Sequence, residues 1–72
     1  MGDDGSRVET ALRILTKARL VSMQVPPYAV SRWCDAWEAE ADRRGLEPGA
    51  AYWEDGIRWI IAKVAAGEPP PG

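Results

Sequence analysis

Histidine is absent from this chain, which removes both the commonest general base and the commonest metal ligand. Cysteine is nearly absent: Cys34 stands alone, so it can form neither an intrachain disulfide nor a zinc site. One free thiol fits a reducing, cytoplasmic setting. Phenylalanine and asparagine are missing too, while arginine outnumbers lysine seven to two and alanine occurs eleven times. GC-rich codons produce that bias, which points to a GC-rich bacterium, its plasmid or its phage. No apolar run approaches the roughly 20 residues of a membrane span. There is no Gly-rich phosphate loop and no nucleophile with a base facing it. No catalytic, cofactor-binding or metal-binding residue is therefore expected, and no enzyme.

What is present is a 72-residue chain, 46% apolar and 28% charged, with a net charge of −2. A chain this short supports one small domain and buries only about 60% of the surface its unfolded form exposes. Its four tryptophans carry unusual weight, because each can bury roughly 150–250 Å².

Residues 1–6, Met-Gly-Asp-Asp-Gly-Ser, read as a flexible acidic start rather than a secretory leader. Ser6 and Glu9 have the spacing of a capping box, which predicts a first helix over 7–22. Its core-facing stripe is Val8, Ala11, Leu12, Leu15 and Ala18, widened by Ile14 and Val21 until two neighbours are needed to cover it. On this reading Arg13 and Lys17 face water, and Arg19 reaches from the stripe's edge toward an acidic partner. Pro26 and Pro27 end that helix, and Pro27 suits the first turn of the next.

The second helix is predicted over 27–44, with Val30, Trp33, Cys34, Trp37 and Ala41 on one apolar face and Gly45 as a left-handed stop. The third is predicted over 50–66, ending at Gly67, with a core stripe of Trp53, Ile57, Ile60, Ile61 and Val64. Glu68 and the prolines after it give an extended tail over 68–72. None of the three helices can bury its stripe alone. The expected fold class is all-α, a compact three-helix domain over 7–67 between two disordered tails.

Two segments are candidates for function. Gln24-Val25-Pro26-Pro27-Tyr28-Ala29-Val30-Ser31-Arg32-Trp33 resembles the turn and recognition-helix start of helix-turn-helix DNA-binding proteins, in which a Gly-Val-Ser turn precedes a segment like Thr-Val-Ser-Arg-Trp. Val25, Val30 and Trp33 match the buried positions, and Met23 matches the last apolar position of the preceding helix. The resemblance implies that Tyr28, Ser31 and Arg32 face the major groove, with Arg13 and Lys17 adding cationic contacts. Gln24 and Pro26 depart from the turn's usual glycine and serine. Charge also weighs against DNA: residues 25–49 hold three basic and five acidic side chains, the wrong sign for a phosphate-binding helix.

The other candidate is a side stripe on the third helix. Tyr52, Gly56, Trp59 and Lys63 recur at helical spacing, to one side of its core stripe. Left near the surface, two aromatics beside a glycine would dock a partner helix. The leading expectation is a small, non-catalytic, cytoplasmic protein–protein interaction module or regulator. Its partner is a host or cognate protein, or a second copy in a homodimer. The alternative is a helix-turn-helix DNA-binding regulator. Neither reading involves a cofactor, a membrane or a small-molecule substrate.

Overall fold

The computed structural model describes residues 3–71; Met1, Gly2 and Gly72, the outermost parts of the expected start and tail, lie outside the described residues. The helices are α1 (Asp3–Ser22), α2 (Pro27–Arg44) and α3 (Ala50–Ala65), each packed on both others. No strand occurs among the described residues. The fold is all-α, as the apolar spacing implies.

Local chemistry explains where the helices stop. Each of the three ends in the same backbone turn, a left-handed residue followed by one whose N–H returns to a carbonyl five residues back. After α2 this residue is Gly45 (φ 73°), where the Leu46 N–H reaches the Ala41 carbonyl at 3.0 Å. After α3 it is Gly67 (φ 79°), with the Glu68 N–H on the Lys63 carbonyl at 3.1 Å. After α1 a non-glycine takes the role: Gln24 sits at φ 73°, and the Val25 N–H bonds the Leu20 carbonyl at 3.0 Å. Both Val25 and Leu20 are buried, the apolar contact that accompanies this turn.

The start of α1 differs from the sequence reading. The helix begins at Asp3, so Ser6 lies inside it and is not a cap. Glu9 does not complete a capping box; its Oε1 accepts a hydrogen bond from Trp53 Nε1 at 3.1 Å.

The core lies mainly between α2 and α3. All five residues expected on the inner face of α2 are buried, joined by Ala29. From α3 come Tyr52, Trp53, Ile57 and Ile60, with Ile61 and Val64 partly buried. Aromatic rings meet edge to face, the arrangement their quadrupoles favour: Trp37 with Tyr52 at 5.6 Å between centroids, Tyr52 with Trp53 at 5.1 Å, and Trp33 with Trp59 at 6.1 Å.

Candidate functional site

In α1 the structure departs most from its sequence pattern. Thr16 and Leu20 are its fully buried residues, at 2% and 0% exposure, and Glu9, Leu12, Arg13 and Lys17 line the same side part-buried. The expected core stripe points the other way. Val8 is 59% exposed, Ile14 60%, Leu15 59% and Val21 45%, with Ala11 and Ala18 exposed between them. Leu12 alone of the predicted stripe packs against the core.

Polar complementarity turns the helix this way. Arg13, expected in water, donates to Asp35 Oδ1 at 2.8 Å and also pairs with Glu38, both on α2. The hydrogen bond to Asp35 pushes the Arg13 guanidinium further above its ordinary range. Arg19 does find an acidic partner, Glu54 on α3, at 2.6 Å. Together with the Glu9–Trp53 bond these contacts tie one side of α1 to both other helices. Among the described residues, the apolar side is left largely exposed.

Where α1 ends, its edge and α3 enclose an open groove of about 520 Å³. Ile57 and Ile61 form its floor, Met23 stands at one side, and Arg19, Glu54 and Arg58 make a charged rim. Met23, which the helix-turn-helix resemblance matches to the last apolar position of the preceding helix, is exposed and lies just past the end of α1.

The stripe expected to dock a partner on α3 is turned inward. Tyr52 is only 8% exposed and Gly56 is buried, so neither belongs to a surface patch. Trp59 is half-buried, 5.7 Å from Trp37 between ring centroids, and Lys63 lies 5.3 Å above the Trp59 ring. The cause is the bulk of α2. Two tryptophans on its inner face need a broad opposing surface, and α3 supplies it by presenting the 52/56/59 side along with its aliphatic stripe.

The residues singled out for DNA are split. Tyr28 (71% exposed), Ser31 and Arg32 lie together on the outer side of the first turns of α2. Arg13 is held by two carboxylates and Lys17 is part-buried, so the structure does not add them to that set. Cys34 is buried, and burial pushes its thiol pKa up, which keeps it protonated at neutral pH. Among the described residues, no three His, Cys, Asp or Glu side chains converge to hold a metal, and no helix is long and apolar enough to cross a membrane.

The apolarity of the outer stripe of α1 is the usual mark of a core, so nothing in that stripe alone distinguishes it as a surface. The available signal was the second side of the helix, where Glu9, Arg13 and Thr16 recur with buriable Leu20. Comparison with protein-family models, with curated proteins and with solved structures finds no match to the chain.

Proposed function

We propose that this chain is a small, non-catalytic protein–protein interaction module, a regulator or adaptor, that binds through the outer face of α1. One observation carries this reading. A domain too small to spare apolar contacts leaves Val8, Ala11, Ile14, Leu15, Ala18 and Val21 on the solvent side of a single helix. A contiguous apolar strip of that kind marks a docking surface, and the groove beside Ile57 and Ile61 extends it. The protonated, buried thiol supports a non-catalytic role and a cytoplasmic setting.

The test compares protein captured from source-cell extract by immobilised wild-type chain and by Leu15→Glu. Capture lost in the variant, with melting unchanged, supports the module; equal capture overturns it.

A helix-turn-helix reading keeps two observations in its favour. Gln24 adopts the left-handed backbone that the turn glycine of that motif supplies, and Tyr28, Ser31 and Arg32 share one exposed face. Duplex DNA binding at about 0.15 M salt, falling steeply as salt rises, would establish it over the module.

A further inference from the structure

We infer that the occupant of the α1 outer face is a second copy of this chain, paired antiparallel about a twofold axis that passes between Ile14 and Leu15. The inference rests on reading that face as an interaction surface. It adds a symmetry that the face itself displays. Val8 and Val21, Ala11 and Ala18, and Ile14 and Leu15 lie at equal distances either side of one point in the helix. At 100° per residue, the line midway between the members of each pair runs down the middle of the exposed face.

Contacts about a twofold axis are reciprocal: where residue i of one copy meets residue j of the other, j also meets i, so this matching brings together side chains of like size. In the antiparallel pairing Val8 opposes Val21 of the second copy, Ala11 opposes Ala18, and Ile14 opposes Leu15. The alanines let the helix axes approach to about 8–10 Å, with Ile14 and Leu15 at the centre and the valines at the two ends. A shift by one residue destroys the match, setting Val21 against Arg7 or Val8 against Ser22.

Charge agrees with this register. Exposed Arg7 faces Ser22, and exposed Arg19 faces Thr10, so no two cations meet across the axis. The residues span 13 steps of helix, about 20 Å. Covering them removes on the order of 1,000 Å² from both copies together, the low end for a specific interface. Such a dimer forms at micromolar or higher concentration.

Sedimentation velocity of the full chain from about 5 to 500 µM tests this, with Leu15→Glu and Ala18→Glu as variants. Both positions are exposed, and a helical signal at low concentration verifies their folding. The wild type is expected to pass from monomer to dimer, and each variant to weaken association at least about thirty-fold. A chain that stays monomeric, or a dimer indifferent to both substitutions, overturns the proposal.

Register is read by mixing Ala11→Cys with Ala18→Cys under mild oxidation; Cys34 is buried and out of reach. The mixture should cross-link and neither variant alone should, because like positions are offset by about 10 Å along the axis, beyond disulfide reach. Ala11→Cys cross-linking to itself would mean a parallel pair and overturn the register. Should the wild type remain monomeric while Leu15→Glu still abolishes capture from extract, the dimer fails and the interaction module stands. Capture and self-association both unaffected would remove both readings.

Discussion

The indole of Trp37 lies against the bare backbone of Gly56, so close that a Cβ at that position would stand 2.6 Å from both Cδ1 and Nε1. Gly56 is helical with no left-handed backbone to justify it, so space for the ring is its reason for being glycine. The same contact leaves Trp37 Nε1 buried with no hydrogen-bond partner among the described residues. A helix–helix seam between α2 and α3 thus depends on one missing methyl group.

Gly56→Ala tests that seam. Alanine would gain about 1 kcal/mol of helix propensity at an open site. Here a rigid ring blocks it, and overpacking costs typically about 1–3 kcal/mol. Urea denaturation should show a net loss of stability; a midpoint equal to or above wild type would mean that the ring moves aside freely.

Gln24→Gly should act in the opposite direction. An L-residue in the left-handed region pays roughly 1–2 kcal/mol of steric strain that glycine does not. Relief of part of it, set against the greater freedom of glycine in the unfolded chain, should raise stability by about 0.5–1 kcal/mol and Tm by a few degrees. A lower Tm would show that the Gln24 side chain contributes something the backbone turn does not require.

Arg13→Ala separates a structural arginine from a DNA-contacting one. Its guanidinium serves Asp35 and Glu38 together and is about a quarter exposed, so its loss should cost about 1–3 kcal/mol and leave two carboxylates without their cation. Thermal melting at low and high salt reads this, with the difference from wild type shrinking as salt screens the pair. Unchanged melting would place Arg13 outside the packing of α1.

Alkaline pH should weaken the fold. Burial pushes up the pKa of both the Cys34 thiol and the Tyr52 phenol. Once pH passes their ordinary values, 9.0 and 10.0, the unfolded chain releases protons that the folded chain keeps. The folded state then binds more protons, and stability falls with rising pH. This contribution is intact below those values and is lost as pH climbs through the raised ones. Tyr52→Phe should flatten the upper part of the decline, and a Tm constant from about pH 8 to 11 would contradict the assignment.

Much of the fold was readable because its signals are local. Pro26 and Pro27 cannot sit within a helix, Gly45 and Gly67 accept a left-handed turn, and α2 has a single apolar side, so its inner face admitted one answer. The facing of α1 was not readable. That helix has an apolar side and a mixed side, and hydrophobicity alone selects the apolar one for the core.

The chain by itself determined the number of helices, where each one stops, and the burial of Trp33, Trp37 and Trp53. Those properties follow from backbone stereochemistry and from side chains too large to leave in water. Only the tertiary structure decided which way α1 and the 52/56/59 side of α3 would turn. Asp35, Glu38, Glu54 and the Trp53 N–H meet their partners on α1 only in the packed fold, at sequence separations of 22 to 44 residues. Once those polar groups demand the mixed side of α1, its apolar side has nowhere to face but outward.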